Sequence, residues 1–330
     1  MITRKGCAVP WFDLPEPELV RYRTATEEPE GLDDWWRARL DEARAAAAPP
    51  ALEPHLPEVY GPLGVWDVEF SGALGDRVKG WYLRPPGSGD EPLPTVVTYI
   101  GYGGGRGLPT EHALLPAAGY AVFVMDTRGQ GGRWTPGATA DSAPAGPSHP
   151  GFMTRGITAP ETYYVTRLMT DAALAVEVAA GLPGVDAARL AVSGGSQGGG
   201  LALAAAALGG DRVKVCHADV PFLCDFQRAI TLTGSDPYAE IASFLAHNVH
   251  LVPAALDTLR YVDAALLARR ITARSLLSVG LMDEVCPPST VYAAYNEITA
   301  PKEIAVLPFT GHVVPQLHAE TKLRHLREHL

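Results

Sequence analysis

The spacing of apolar residues changes along the chain, and the changes mark the elements. Leu32, Trp35, Trp36 and Leu40 recur near helical spacing. A helix is therefore expected over residues 31–45, stopped by Pro49-Pro50. A shorter helix, opened by Asp13 as an acidic cap, is expected over residues 13–21. Residues 65–70 alternate and read as a strand, with residues 77–84 as the hairpin partner across 71–76. From residue 95 the runs become short and continuously apolar, as in strands covered on both faces. They fall at 95–100, 120–126, 190–195, 213–220, 275–283 and 304–309. Helical stretches lie between them at 162–180, 201–208 and 292–298, and a last one closes the chain.

A strand pair followed by alternating strands and helices predicts a mostly parallel sheet with helices on both faces. One α/β domain over residues 1–330 is expected, with residues 1–60 as an N-terminal extension. Residues 222–270 read as helical pieces broken by Gly234 and Pro253, an insertion beside the functional site. The Gly-, Pro- and Ser-rich stretch 132–158 is long for a loop in a compact domain, which points to a functional or interfacial role. The two tryptophans at 35 and 36 are expected to be packing anchors.

One stretch carries chemistry. Gly194-Gly195-Ser196-Gln197-Gly198 is a G-x-S-x-G pattern placed between a strand and a helix, the context of a nucleophile elbow. Small residues at 194 and 198 let strand and helix approach, and the helix start aims free N–H groups at the reacting centre. A plain strand–helix turn whose serine caps the helix is the alternative. Ser196 as nucleophile needs a base, and the base needs an orienting carboxylate. The ends of two later strands supply Asp283 and His312, in the chain order of α/β-hydrolases. Of ten histidines, His312 alone sits in a glycine-flanked loop directly after an expected strand. His318, His325 and His329 are expected to be exposed on the terminal helix, and His217 packed in a strand. Asp219 and Asp126 also end strands and compete with Asp283, as structural acids that bond loop backbone. Asp283 is preferred because it precedes the strand that delivers His312.

An acyl-transfer site also needs donors for the oxyanion. The backbone N–H of Gln197 is one candidate, and that of Tyr102, in the glycine-rich loop 101–107, is the other. The same loop superficially suggests a dinucleotide site, but its spacing is G-x-G-x-G and Pro109 interrupts the helix start.

Composition narrows the classes further. A net charge of −10 argues against nucleic acid and anionic membranes as partners. No run reaches the ~18 apolar residues of a membrane span. The first ten residues lack the apolar core of a signal peptide. Cys7, Cys216, Cys224 and Cys286 are scattered without C-x-x-C spacing, which suggests neither a disulfide framework nor a zinc site. A reducing, cytoplasmic compartment is expected. His247 and His250 have H-x-x-H spacing but no accompanying glutamate, so no metal site is expected. The mixed charges of residues 302–327 read as a solvated face.

With these residues placed, the sequence resembles carbohydrate esterase family 7, the acetyl xylan esterases and cephalosporin C deacetylases. The likeness starts at Trp11 and covers nearly the whole chain. Its specific segments are 99–107, 125–131, 150–157, 194–199, 219–224 and 280–290. The resemblance implies an α/β-hydrolase fold and a serine esterase that removes acetyl groups from xylo-oligosaccharides and cephalosporin C, with no cofactor. It implies Ser196, Asp283 and His312 as a triad, and Tyr102 and Gln197 as the oxyanion hole. The family's Arg-Gly-Gln motif falls on Arg128, Gly129 and Gln130, as support of the site. A cytoplasmic hexamer, a trimer of dimers with sites facing an inner cavity, is also implied. Pro221, Phe222 and Cys286 lie close enough in the motifs to line a small acyl pocket. The family's His-Glu is His312-Val313 here, and its following glycine-rich segment is replaced by Val314-Pro-Gln-Leu. That departure touches loop packing, subunit contacts or substrate preference. A short-chain carboxylesterase of other specificity, a prolyl-oligopeptidase-type peptidase and a non-catalytic binder on the same fold are the other readings.

Overall fold

The computed structural model describes residues 11–143 and 151–330. The expected placement of Met1–Pro10, Cys7 included, and of Pro150 lies outside them. The frame is a nine-stranded sheet in the order β1-β2-β3-β5-β4-β6-β7-β8-β9. The strands are β1 (Ala51–Pro54), β2 (Gly64–Ser71), β3 (Arg77–Arg84), β4 (Leu93–Tyr99), β5 (Ala121–Met125), β6 (Val185–Gly195), β7 (Val213–Asp219), β8 (Arg274–Gly280) and β9 (Lys302–Leu307). β1, β2, β3 and β5 pair antiparallel, and every pairing from β5 through β9 is parallel.

The continuous apolar runs arise because both faces of the sheet are covered. Val97, Phe123, Val192 and Cys216 enter the main core on one face. Their chain neighbours Val96, Ala191 and Val215 pack with Leu326 on the other. The helices Tyr164–Ala180 and Gln197–Gly209 fill the main core, and the second is buried on nearly every side. The Leu32–Ala45 helix packs through Leu32, Trp36 and Ala43, and Trp36 donates from Nε1 to the Tyr261 carbonyl at 2.9 Å.

Several expectations need correction. The N-terminal extension, read without a strand, supplies one: β1 adds an edge strand beside β2. The first short helix spans only Glu16–Leu19, and its cap residue is Pro15. Asp13 instead binds Arg228 at 2.7 Å and accepts from the Ser289 N–H at 2.6 Å. Pro253 does not break a helix but opens one, Val252–Tyr261, as its fixed φ allows in a first turn. His318 and His325 are buried, 7 % and 5 % exposed, because the His318–His329 helix lies on the sheet rather than in solvent. His318 and Lys322 reach Asp219 at 3.0 and 2.6 Å.

Candidate active site

Parallel strands bring all their carboxyl ends to one side, and the loops of interest leave from there. β6 ends at Gly195, β8 at Gly280 and β9 at Leu307. β7 stands between the elbow strand and β8, so Asp283 and His312 arrive across an intervening strand rather than from immediate neighbours. β4, on the other flank of β6, delivers the Gly101–Gly107 loop.

Ser196 occupies φ 56°, ψ −121°, a region that costs a non-glycine residue free energy. The surroundings fix it there: its N–H donates to the Asp219 carbonyl at 2.9 Å, and its carbonyl accepts from Phe222 at 2.9 Å. The glycines beside it are steric requirements. A Cβ on Gly194 would stand 2.3 Å from the Gly198 backbone, and one on Gly198 would stand 2.3 Å from the Tyr99 carbonyl oxygen.

The serine Oγ lies 2.9 Å from Nε2 of His312, and Nδ1 of His312 lies 2.8 Å from Oδ2 of Asp283. Asp283 is fully buried, and its Oδ1 accepts from the N–H groups of Val285 and Cys286 at 2.8 and 2.9 Å. The loop of His312 is seated on Gly280, where a Cβ would come within 2.5 Å of the Gly311 carbonyl oxygen. The competing aspartates are engaged elsewhere. Asp219 holds Lys322 and accepts from Ser278 Oγ at 2.9 Å. Asp126 accepts from the backbone of Arg106 and Ala138 at 2.7 and 2.6 Å.

Among the described residues, the N–H groups of Tyr102 and Gln197 donate to no other protein group. That of Gln197 is unpaired because it opens a helix. Buried side chains set their spacing. Gln130 accepts from the Gly103 N–H at 2.7 Å and donates to Gln197 Oε1 at 2.8 Å and to Tyr164 at 3.0 Å. Gln197 Nε2 donates to the Ile100 carbonyl at 3.2 Å. Arg128 is fully buried and grips both oxygens of Asp171, at 2.6 and 2.8 Å. The Tyr102 hydroxyl donates to Glu240, which also accepts from the N–H of Met153 at 3.1 Å. Burial, then the Glu240 charge, pushes the Tyr102 hydroxyl far above the usual range, and burial likewise raises the Glu240 carboxyl.

The cleft over Ser196 has a volume of about 700 Å³. Its walls include Tyr102, Arg133, Trp134, Pro237, Val285 and His312. Pro221, Phe222 and Cys286 are not among the lining residues but are buried beneath them. Burial pushes the Cys286 thiol well above its ordinary range, and the nearby Ser196 hydroxyl works against that rise. Arg133, Trp134 and Glu240 were not singled out from sequence. The first two sit in the long loop, whose composition marked the segment but not the residue. Glu240 lies on the Tyr238–His247 helix of residues 222–270, at a sequence separation of 138 from Tyr102.

Residues 9–329 match the sequence profile of the acetyl xylan esterase (AXE1) family. The chain belongs to the acetyl xylan esterase family. Its backbone resembles the acetyl xylan esterase from Paenibacillus sp. R4 with a TM-score of 0.89 and 35 % identity, covering 96 % of this chain and 100 % of that one. Acetyl xylan esterase 1 from Thermoanaerobacterium sp. JW/SL YS485 gives 0.87 and 32 %, covering 96 % and 99 %. Acetyl esterase Axe7A of Xylanibacter ruminicola is 28 % identical over 305 residues, 90 % of this chain, which spans 66 % of that relative's length. The α/β-hydrolase fold is thus that of the family. Porphyromonas gingivalis dipeptidyl peptidase 4, at 19 % identity and a TM-score of 0.58 over 81 % of this chain and 36 % of that one, shares the fold alone. Val313, directly after the histidine, is 65 % exposed, with Phe309 and Leu317 exposed nearby in sequence. Among the described residues no helix is long and apolar enough to cross a membrane.

Proposed function

We propose that this protein is a serine esterase that removes acetyl groups from acetylated xylo-oligosaccharides. The observation that carries the reading is the continuous relay from Ser196 Oγ through His312 to Asp283, at 2.9 and 2.8 Å. His312 Nε2 takes the serine proton as Oγ attacks the acetyl carbonyl carbon. Asp283 accepts from Nδ1–H, which holds the tautomer and offsets the charge of the imidazolium. The N–H groups of Tyr102 and Gln197 receive the developing oxyanion, each donor contributing ~3–4 kcal/mol to the barrier. His312 returns the proton to the departing sugar oxygen and leaves an acetyl ester on Ser196. Water, deprotonated by His312, attacks that ester, and acetate departs with Ser196 regaining its proton. The chemistry needs neither metal nor cofactor.

The cleft's volume of about 700 Å³ suits a small sugar. The family resemblance extends the reading to cephalosporin C, whose 3′-acetate is the same chemical group. It also supports a hexamer, and the exposed apolar side chains of Phe309, Val313 and Leu317 beside the His312 loop are compatible with a subunit contact. The free, buried thiols of Cys216, Cys224 and Cys286 agree with a reducing, cytoplasmic location.

The test is steady-state hydrolysis of p-nitrophenyl esters from acetyl to octanoyl, with Ser196→Ala in parallel, followed by acetylated xylose and cephalosporin C. The proposal expects acetate to be cleaved best and the variant to lose about a thousandfold or more. Preference for the longer esters would overturn the deacetylase assignment, and a wild type as inert as the variant would overturn the esterase. Light scattering on the purified chain tests the hexamer.

A further inference from the structure

A second cluster of chemistry-bearing side chains lies outside this site. His325 and His329 are one turn apart on the terminal helix, and Glu303 belongs to β9. Each offers one ligating atom, and these atoms lie within 4.8 Å of one another. The rings of His325 and His329 meet edge to face, with centroids 4.7 Å apart. His325 is 5 % exposed. Its Nδ1 lies 3.0 Å from Nε2 of His217, while its own Nε2 is buried without a hydrogen-bond partner among the described residues. Buried polar atoms are nearly always satisfied, so the orphan calls for an explanation. The H-x-x-H pair His247 and His250 forms no such three-residue group among the described residues.

We propose that Glu303, His325 and His329 form a binding site for a divalent transition-metal ion of the zinc class, with water completing the coordination. Two imidazoles and one carboxylate are a ligand set that Zn²⁺ accepts. With the proton on His325 Nδ1 directed at His217 Nε2, the His325 Nε2 lone pair is left for the ion, and a hydrogen bond on the far ring nitrogen fixes the ring. Glu303 is exposed and His329 half-buried, so the ion has a way in. β9 and the terminal helix bracket the loop that carries His312. An ion bridging Glu303 to the far end of that helix therefore closes the strand–loop–helix unit. Its role is that of a clamp, outside the chemistry on Ser196.

The experiment uses the full, untagged chain, stripped with a chelator and dialysed. Zn²⁺ is titrated by calorimetry and Co²⁺ by its visible absorption. One saturable ion per chain is expected, with a rise in Tm on Zn²⁺ addition. Glu303→Ala and His329→Ala are each expected to weaken binding about tenfold or more and to abolish the Tm shift. His250→Ala is the control and retains both. The two ligand variants alter partly exposed side chains, and circular dichroism verifies their fold. No saturable binding, or binding that persists unweakened in both variants, overturns the site.

Discussion

Gln130 and Gln197 meet through a buried 2.8 Å hydrogen bond from Nε2 of the first to Oε1 of the second. This bond joins the loop after β5 to the residue following Ser196. Because Gln130 Oε1 also accepts from the Gly103 N–H, one side chain sets the distance between the two proposed oxyanion donors. Gln130→Ala leaves buried amide groups on both sides unpaired, at ~1–3 kcal/mol. The expected result is a fall in kcat of about tenfold or more with KM little changed, since only the transition state uses both donors fully. An unchanged kcat would show that loop and elbow keep their spacing without it.

Gly198→Ala tests the steric side of the same arrangement. The added methyl meets the Tyr99 carbonyl at 2.3 Å, and both partners are backbone within packed elements. The helix must move away from β4, carrying Ser196 with it. Denaturant unfolding should show a loss on the order of 1–3 kcal/mol, and the remaining folded protein should hydrolyse p-nitrophenyl acetate far more slowly. Full stability and activity would mean that the elbow relaxes at no cost.

The central strands were legible because each is buried on both faces, which leaves a continuous apolar run. The relay was legible because its three members stand just beyond strands β6, β8 and β9. Ala51–Pro54 escaped because it is short, largely exposed and bordered by prolines. His325 escaped for a different reason: its helix is rich in charge, and a histidine adds no apolar signal of its own to the buried edge it shares with Leu326. The link from Glu240 to Tyr102 has no local signature at all. It depends on where the helical segment after β7 folds back over the cleft.

Trp134 is where the long loop meets the cleft. Its indole is 59 % exposed, lines the wall above Ser196 and donates to the Tyr102 carbonyl at 2.9 Å. Trp134→Ala removes an apolar wall and a tether on the loop, whereas Trp134→Phe removes the tether alone. An aromatic wall contributes ~0.5–1.5 kcal/mol. For the alanine variant, KM toward acetylated xylo-oligosaccharide should rise about 2–10-fold, and by less toward p-nitrophenyl acetate. The phenylalanine variant should keep the wild-type KM. Equal losses in both variants would assign Trp134 to loop positioning instead.

Asp225 and Asp263 form a buried acidic pair whose stability effect has a definite sign. Asp263 accepts from the N–H groups of Asp225, Phe226 and Ala265 at 2.8, 3.0 and 2.9 Å. Asp225 accepts from the hydroxyls of Tyr22 and Thr24, both at 2.8 Å. Burial, and then the neighbouring Asp225 charge, pushes the Asp263 carboxyl up to about 7, and burial raises Asp225 as well. A carboxyl whose pKa is raised on folding binds its proton more tightly in the folded chain. Stability is therefore greatest below the unfolded value of ~3.9 and declines as pH rises through the folded value, levelling above it. Asp225→Asn removes one charge of the pair. The Tyr22 and Thr24 hydroxyls can reverse to suit an amide. The backbone at 225, with φ 46° and ψ 59°, is a left-handed conformation that asparagine also tolerates. The variant should be more stable than wild type at pH 8, by on the order of 1 kcal/mol. The advantage should shrink toward pH 4. Urea unfolding of both proteins at the two pH values measures it, and a variant less stable at pH 8 would mean that the ionised pair stabilises the fold.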